Sequence, residues 1–271
     1  MEKHNYQLEV LVKYAKKKIA KNPLLFIHGA AGGAWYFEHF LEFFSNKGYD
    51  AYALSLRGHG NSEGHDEINT FRLQDYVDDV RKIVSTFSEK PIIIGHSMGG
   101  AITQIYLGLY QDELEMAILL SSAQAGGIDL DSPLGLFFSD QRTFLRALRV
   151  AHPARKITLD DILSETVFSN RFNEEELKDI KKRLVKESSL VRKDLLSPFI
   201  DENKKITVDV SVVGSDGDHI IGEKELLITA NFFNTKPVIL SRLCHFLTID
   251  PEWKLAAETI LKDIERHFRN R

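Results

Sequence analysis

The sequence predicts an α/β fold with a mostly parallel β-sheet. Three short apolar runs bounded by Gly or Pro indicate strands that are buried on both faces: PLLFIHG (23–29), YALSLRGHG (52–60) and PIIIGHSMGG (91–100). Segments with the spacing of amphipathic helices lie between these runs. Strands that alternate with helices are typical of right-handed βαβ units, which build parallel sheets.

The remaining elements can be placed in chain order. Residues 6–12 alternate between apolar and polar side chains, as in a half-buried strand. Residues 71–87 carry an apolar stripe at helical spacing, with Asp and Arg opposite it. Further along, the patterns predict a helix over 101–110, a strand over 116–123, a strand over 208–214, a helix over 223–233, a strand-like run over 236–246 and a final helix from about 251 to 268.

The alternation of strands and helices stops between about 124 and 205. Only amphipathic helical patterns occur there, such as EEELKDIKKRLVKES. We interpret residues 124–205 as a helical cap inserted into a core made of residues 1–123 and 206–271. An insertion at the strand ends would lie where ligands bind in such sheets.

The composition is that of an ordinary globular protein, and it indicates neither a nucleic-acid partner nor a membrane span. The chain has 271 residues, of which 43% are hydrophobic and 27% charged, and its formal net charge is −4. So mild a charge provides no basic footprint for nucleic acid or anionic lipid. No apolar run is long enough for a membrane span, the N-terminus lacks the apolar stretch of a signal peptide, and Cys244 is the one cysteine. We therefore expect a cytoplasmic protein, and the sequence indicates no particular oligomeric state.

A candidate nucleophile lies at the end of the third apolar run. Gly95, Ser97 and Gly99 fit the pattern G-x-S-x-G, a sharp strand-to-helix turn, the nucleophile elbow, that exposes the serine hydroxyl. The strand pattern PIII precedes the motif directly and the helix pattern AITQIYLGLY follows it, which is the setting that the motif requires. The alternative interpretation is a glycine-rich turn with a capping serine. We predict that Ser97 is a nucleophile.

A serine nucleophile requires a base and an acid. His245 follows the last apolar run, late in the chain, where a base that removes the serine proton would be expected. The loop after the strand at 208–214 carries two carboxylates, Asp216 and Asp218, and either could orient the imidazole. We prefer Asp218 because Ile220 and Ile221 follow it as an apolar anchor. Asp216 stays the alternative, with a structural role at the Gly217 bend as its other interpretation.

The glycine-rich loop HGAAGG after the first central strand is a candidate oxyanion hole. Its Ala30 amide, together with the amide of Met98 after the nucleophile, would donate to the developing oxyanion. A phosphate-binding loop is a weaker interpretation, since neither G-x-G-x-x-G nor a following Lys-Ser/Thr is present. The sequence also predicts no catalytic metal, because the nearby histidines lack the i, i+4 spacing of a helical zinc site; they are His28, His59, His65 and His96.

These motifs together resemble the α/β-hydrolase superfamily over nearly the whole chain. HGAAGG, LRGHGNSEG, GHSMGG and LCHF occur in that order, and RGHGNSEG with GHSMGG is similar to the monoacylglycerol-lipase and lysophospholipase-like esterases. The resemblance implies an eight-stranded, mostly parallel sheet with a helical lid inserted after the sixth strand. It assigns the nucleophile, base and oxyanion roles to Ser97, His245 and the Ala30 and Met98 amides. The acid loop departs from the usual Gly-x-x-Asp, with Gly217 in the place of the acid.

The sequence therefore predicts a cofactor-free serine esterase that acts on a small-molecule ester. Its activity should fall at acidic pH, because a protonated His245 cannot accept the serine proton. A lipophilic acyl substrate is favoured by apolar residues in the predicted cap: Leu134, Leu136, Phe137, Phe138, Phe144, Leu145, Leu148 and Phe168. The alternatives are a C–C bond hydrolase or lyase with the same triad and a non-catalytic receptor of the same fold. Arg57, His59 and Ser62 are interpreted as bracing the turn beside the site.

Overall fold

The computed structural model describes residues 5–129, 135, 166–201 and 203–270, and its core is a single sheet. Seven strands form the sheet: β1 (Val10–Lys13), β2 (Leu24–Ile27), β3 (Ala51–Leu54), β4 (Ile92–His96), β5 (Met116–Leu120), β6 (Asp209–Ser215) and β7 (Val238–Leu240). Their order across the sheet is β1-β3-β2-β4-β5-β6-β7. Only β1 is antiparallel to its neighbour, and the five other pairings are parallel. The predicted mostly parallel sheet is confirmed.

The described residues contain seven strands, where the resemblance implied eight. The strand predicted over 6–12 pairs with β3 only from Val10 onward. The preceding residues bond to the loop after β3 instead: the Glu63 amide donates to the Gln7 carbonyl, and the Ser55 amide donates to the Glu9 carbonyl. The strand predicted over 6–12 is therefore shorter than expected, because alternation alone does not tell a sheet neighbour from a loop. The eighth strand that the resemblance implied has no counterpart among the described residues. By the same count, the predicted cap follows the fifth strand rather than the sixth.

Helices cover both faces of the sheet. In the described residues these are α1 (Glu38–Asn46), α2 (Leu73–Val84), α3 (Met98–Tyr110), α4 (Glu174–Arg183), α5 (Ser189–Leu195), α6 (Glu223–Phe232) and α7 (Lys254–Arg269). The predicted helices at 71–87, 101–110, 223–233 and 251–268 are confirmed as α2, α3, α6 and α7. Three short segments of the described residues are 3₁₀ helices: Ala34–Phe37, His65–Thr70 and Gln111–Glu113.

The strands alternate their side chains between two apolar layers, as buried parallel strands do. In β2, Leu24 and Phe26 pack with residues of α1 and α7 on one face. Leu25 and Ile27 point to the other face, where residues of α2, α3 and α6 pack. All four of these side chains are fully buried. This explains why the strand appears in the sequence as an uninterrupted apolar run.

The parallel strands bring the predicted site residues to one edge of the sheet. The loops at the carboxyl ends of β2, β4, β6 and β7 begin at residues 28, 97, 216 and 241, respectively. These are the loops that carry the predicted oxyanion donors, nucleophile, acid and base. In a parallel sheet, ligands bind outside these carboxyl ends. The fold therefore places the candidate site there.

Part of the predicted cap is described, and it contacts the core. Residues 166–201 contain α4 and α5. The α5 side chains of Val191 and Leu195 pack in the apolar layer that also holds α2. Seven apolar residues of the predicted cap lie outside the described residues: Leu134, Leu136, Phe137, Phe138, Phe144, Leu145 and Leu148. Among the helices that the structure describes, none is long and apolar enough to cross a membrane.

Candidate active site

Ser97 lies on a sharp turn between β4 and α3. Its φ of 54° and ψ of −115° fall in a region that non-glycine residues rarely occupy, and such strain costs on the order of 1–3 kcal/mol. Hydrogen bonds hold the turn from both sides: the Ser97 amide donates to the Leu120 carbonyl at the end of β5, and the Ala123 amide donates to the Ser97 carbonyl. The Ser97 residue is partly exposed while its neighbours His96 and Met98 are buried. The backbone therefore presents the hydroxyl at the edge of the sheet.

The glycines on either side of the serine are required by close backbone contacts. A Cβ on Gly95 would lie 2.3 Å from the Gly99 carbonyl oxygen and 2.3 Å from Thr103 Oγ1. A Cβ on Gly99 would lie 2.3 Å from the Ile27 carbonyl oxygen. Real Cβ atoms do not approach other atoms so closely, so α3 can lie this near β2 only without those side chains. The G-x-S-x-G pattern is thus explained by packing as well as by the turn.

Gly99→Ala should lower the free energy of unfolding by about 1–3 kcal/mol, because the added methyl group meets backbone atoms that cannot rotate away. Urea unfolding of the variant and the wild type measures the difference. Gly108→Ala on the same helix is the control, since its nearest neighbour would be 3.6 Å from the new Cβ. Alanine favours helix there, so stability should rise by up to about 1 kcal/mol. Equal stabilities of the two variants would contradict the packing argument.

The structure brings Ser97, His245 and Asp218 into one chain of hydrogen bonds. Ser97 Oγ lies 2.9 Å from His245 Nε2, and His245 Nδ1 lies 2.9 Å from Asp218 Oδ2. Because a carboxylate can only accept, the Nδ1 proton belongs to the imidazole. Nε2 of the neutral ring is then the acceptor for the serine hydroxyl. This geometry allows a proton to pass from the hydroxyl to the ring.

Asp218 is buried and held in its ionised form. The amides of Ile220 and Ile221 donate to its Oδ1 at 2.8 and 2.9 Å. Burial would raise the pKa of Asp218, but the positive charge of a protonated His245 and these hydrogen bonds outweigh burial and lower it. The two isoleucines that favoured this residue in the sequence therefore contribute their backbone amides.

Asp216 lies in the same loop but does not face the imidazole. Its Oδ1 accepts a hydrogen bond from the Arg242 amide, and its own amide donates to the Leu240 carbonyl. Both bonds tie the loop after β6 to the loop after β7. Of the two candidate acids, the structure places Asp218 against His245, and Asp216 joins the two loops.

The Ala30 amide lies in the loop after β2, and the Met98 amide belongs to the first residue of α3, directly after Ser97. A Cβ on Gly29 would lie 2.9 Å from Ser97 Cβ, so the absence of a side chain lets this loop approach the serine. Among the residues that the structure describes, none accepts a hydrogen bond from either amide. Both predicted donors are thus available to a substrate oxygen.

Two buried histidines, His28 and His96, support these loops, and neither was predicted to have a role in the site. His28 Nε2 accepts from the Leu56 amide at 3.1 Å, so its Nδ1 carries the proton that bonds to the Gly29 carbonyl at 2.7 Å. His96 donates from Nε2 to the His245 carbonyl at 2.8 Å. Burial lowers the pKa of each ring to about 3, so both are neutral donors. The sequence signal that could have indicated their role is their position, since His28 directly precedes Gly29 and His96 directly precedes Ser97.

The four histidines considered as metal ligands have other partners. His59 bonds to Glu187, and His65 Nε2 lies 3.0 Å from the Gly60 carbonyl oxygen, while His28 and His96 bond to backbone as described. Within the part of the chain that the structure describes, no group of three His, Cys, Asp or Glu side chains is arranged to hold a metal ion.

Residues 166–201, the described part of the predicted cap, are called the cap segment below, and they also contact the loop that carries His245. Arg171 donates to Asp250 at 2.7 Å and to the Arg242 carbonyl at 2.8 Å, and Asp250 also accepts from the Cys244 amide. Burial opposes ionisation of Asp250, but the bond to Arg171 and those from backbone amides lower its pKa. These contacts span about 70–80 residues of sequence, and no local pattern indicated them.

Phe168 is the described member of the apolar cap set, and it contacts the site. Its ring stacks on Phe246 with centroids 5.0 Å apart, and Phe246 follows the candidate base directly. The Phe246 ring also packs edge-on against Tyr36 at 5.0 Å and lies 6.1 Å from His96. The Phe168 and Phe246 rings therefore form an aromatic wall that extends from the cap segment to His245.

Comparisons with known proteins agree with the fold. Residues 22–251 match the family described as alpha/beta hydrolase fold. The monoacylglycerol lipase of Mycolicibacterium smegmatis is 34% identical over 119 residues, which cover 42% of this chain and 42% of that protein. The chain thus matches about two fifths of the length of its curated relatives.

Solved structures share the fold over nearly the full chain. The monoacylglycerol lipase of Paleococcus ferrophilus superposes with a TM-score of 0.71 and 18% identity, covering 96% of this chain and 99% of that one. A bromoperoxidase from Bacillus anthracis superposes with a TM-score of 0.74 and 17% identity, covering 96% of each chain. At such identities the likeness establishes the fold alone, and the site must supply the argument for chemistry.

Proposed function

This chain belongs to the α/β-hydrolase family, and we propose that it is a serine hydrolase that cleaves carboxylic esters through an acyl-enzyme. The observation that carries the proposal is the unbroken hydrogen-bond path from Asp218 through His245 to Ser97. The two available amides beside the serine supply the second requirement, a site for negative charge. The family match and the lipase and esterase relatives support ester hydrolysis at the family level.

In the proposed acylation step, Ser97 Oγ attacks the ester carbonyl carbon while His245 Nε2 takes the hydroxyl proton. The carbonyl π electrons move to oxygen, and the Ala30 and Met98 amides stabilise this oxyanion. When the tetrahedral intermediate collapses, the bond to the alcohol oxygen breaks, and the imidazolium gives its proton to the leaving alcohol. Ser97 is left as an acyl ester.

Deacylation repeats these steps with water as the nucleophile. His245 removes a proton from the water, which attacks the acyl carbon, and Ser97 leaves with the proton returned by the imidazolium. The Asp218 carboxylate stabilises each charged state of the ring and keeps its Nε2 toward the reaction. The scheme therefore uses only groups of the protein chain, the ester substrate and water.

We further propose that the acyl group is lipophilic. Phe168 and Phe246 form an aromatic wall beside His245, and a matched relative is a monoacylglycerol lipase. Burial of each methylene in such a site contributes about 0.8 kcal/mol, which is roughly a fourfold gain in kcat/KM per methylene. The gain should end when the chain fills the pocket.

Nitrophenyl esters from acetyl to palmitoyl should therefore be hydrolysed with kcat/KM rising from the short chains to an optimum at a longer one. Initial rates at fixed detergent concentration measure the series, and the acid product is identified by chromatography. A flat or falling series would contradict the lipophilic substrate. If no ester were hydrolysed but a β-diketone or cyanohydrin were cleaved, the C–C bond chemistry would replace the ester proposal. Tight ligand binding without any turnover would favour a receptor.

A further inference from the structure

Glu187, in the cap segment between α4 and α5, is a buried carboxylate that receives four hydrogen bonds. Its Oε1 accepts from the Tyr76 hydroxyl at 3.0 Å and from the Ser188 amide at 2.8 Å. Its Oε2 accepts from the Ala31 amide at 3.2 Å and lies 3.1 Å from His59 Nε2. A carboxylate that is this fully bonded has a fixed position.

Ala31 is bound to the cap segment at both of its backbone groups. Its amide donates to Glu187, and its carbonyl accepts from the Val185 amide at 2.9 Å. Ala31 has a φ of 63°, in the left-handed region that alanine seldom occupies. The Ala31 N–H belongs to the peptide group that joins Ala31 to Ala30, so a bond that holds this group limits how far the Ala30 backbone, with its own N–H, can turn. Two bonds from residues more than 150 positions away therefore hold a strained residue beside a proposed oxyanion donor.

Glu187 is also half of a buried ion pair. His59 bonds through Nδ1 to the Arg57 carbonyl and through Nε2 to the carboxylate, and since both partners only accept, both ring nitrogens carry protons. Burial disfavours both charges, but their mutual attraction outweighs it, raising the pKa of His59 and lowering that of Glu187. The neighbouring His28 stays neutral and holds the Gly29 carbonyl. The oxyanion loop is thus held at Gly29 from within the core and at Ala31 from the cap segment.

We propose that Glu187 is a positioning residue for the oxyanion hole: it fixes the Ala30 amide by binding the Ala31 amide from the cap segment. The inference rests on the proposed function, since it assigns a purpose to a loop whose donor acts in ester hydrolysis. Preorganised donors stabilise the transition state more than the substrate. Loss of Glu187 should therefore lower kcat more than it raises KM.

Glu187→Gln tests this proposal because it keeps the size of the side chain. A glutamine offers one acceptor oxygen where two are needed, so its NH₂ group must face two of the four donors, and His59 loses its counter-charge. We expect kcat on the best nitrophenyl ester to fall roughly 10- to 100-fold, with KM changed less than threefold, since loss of one oxyanion donor costs roughly 10²- to 10³-fold. The Ala31 amide should exchange its hydrogen for deuterium at least tenfold faster than in the wild type.

Asp194→Asn is the matched control in the same segment. Asp194 pairs with Arg72 and accepts from the Leu73 amide, so it ties α5 to the start of α2 without touching the oxyanion loop. This variant should keep both kcat and the Ala31 exchange rate within twofold of the wild type. If it reproduced the effects of Glu187→Gln, general loosening of the segment would explain them, and the positioning role would be overturned.

Glu187→Asp serves where the glutamine variant does not fold. It keeps the negative charge for His59, but its shorter side chain cannot serve all four donors. We expect a smaller fall in kcat with faster Ala31 exchange, and wild-type values of both would overturn the inference. The exchange measurement needs no substrate. If the wild type hydrolysed no ester, the proposed function would fail, and the exchange rates would still test the hold of Glu187 on the loop.

Discussion

Ser97→Ala should reduce kcat for ester hydrolysis by roughly 10⁴- to 10⁶-fold, the largest effect expected of any single substitution in this chain. The hydroxyl at 2.9 Å from His245 Nε2 is the atom that would form the acyl bond, and alanine offers no replacement. Residual hydrolysis would come from the oxyanion donors and substrate binding alone. Steady-state rates on the preferred nitrophenyl ester, with active-site titration by a fluorophosphonate, measure the loss.

Ser121→Ala is the matched control for this serine. Ser121 follows β5, is fully buried and also has a positive φ, of 39°. Its hydroxyl has no hydrogen-bond partner among the described residues, so its removal should leave the rate within a few-fold of the wild type. Fluorophosphonate labelling should persist in Ser121→Ala and vanish in Ser97→Ala. Ester hydrolysis that survived in Ser97→Ala would show that another group is the nucleophile.

The fold could be predicted from the sequence because its strands are buried on both faces. Runs such as residues 92–95 contain no polar side chain that would interrupt the apolar pattern, and all five residues of β4 are buried. The N-terminal strand was predicted less well, since its residues are only partly buried and most of the predicted stretch, residues 6–12, pairs with a loop. A half-buried edge segment can satisfy its backbone in either way, and the side-chain alternation is the same in both.

The elbow glycines and the choice between the acids depend on different kinds of contact. Gly95 and Gly99 are local necessities of a strand-to-helix turn, so a short motif could identify the serine between them. Asp216 and Asp218 are two residues apart in one loop. Their environments differ because the Arg242 amide, 26 residues away in sequence, donates to Asp216. The sequence favoured Asp218, but only the packing of the two loops shows which carboxylate lies against His245.

The contacts that join the cap segment to the core could not be predicted. Glu187 meets Ala31 and His59 across 156 and 128 residues, and Arg171 meets Asp250 across 79. Each is an ordinary charged residue in an amphipathic segment, where a solvent-exposed position is the usual expectation. Only the folded chain reveals that Glu187 is buried and that Arg171 pairs with the buried Asp250. These pairs contact the loops that carry the candidate site residues.

Asp218→Asn should lower kcat by about 10⁴-fold with little change in KM, because the asparagine reverses the hydrogen bonds of the imidazole. An amide NH₂ facing His245 Nδ1 requires that nitrogen to accept, which moves the ring proton to Nε2. Nε2 then cannot take the proton of Ser97. The amide oxygen can still accept from the Ile220 and Ile221 amides, so the loop should keep its shape. Rates on the preferred ester and the melting temperature measure the two effects separately.

Asp216→Asn separates the role of the acid from that of its loop. Asp216 accepts from the Arg242 amide, and an asparagine oxygen can accept the same bond, so the variant should retain activity within a few-fold of the wild type. Although burial opposes ionisation of Asp218, the positive charge of a protonated His245 and hydrogen bonds lower its pKa, so Asp218→Asn removes a charge as well as the group that orients the ring. Equal losses in the two variants would indicate that the loop, rather than one carboxylate, supports the base. A loss of activity confined to Asp216→Asn would reverse the assignment of the acid. Asp216, which accepts a hydrogen bond from the Arg242 amide, would then be the carboxylate that acts with Ser97 and His245.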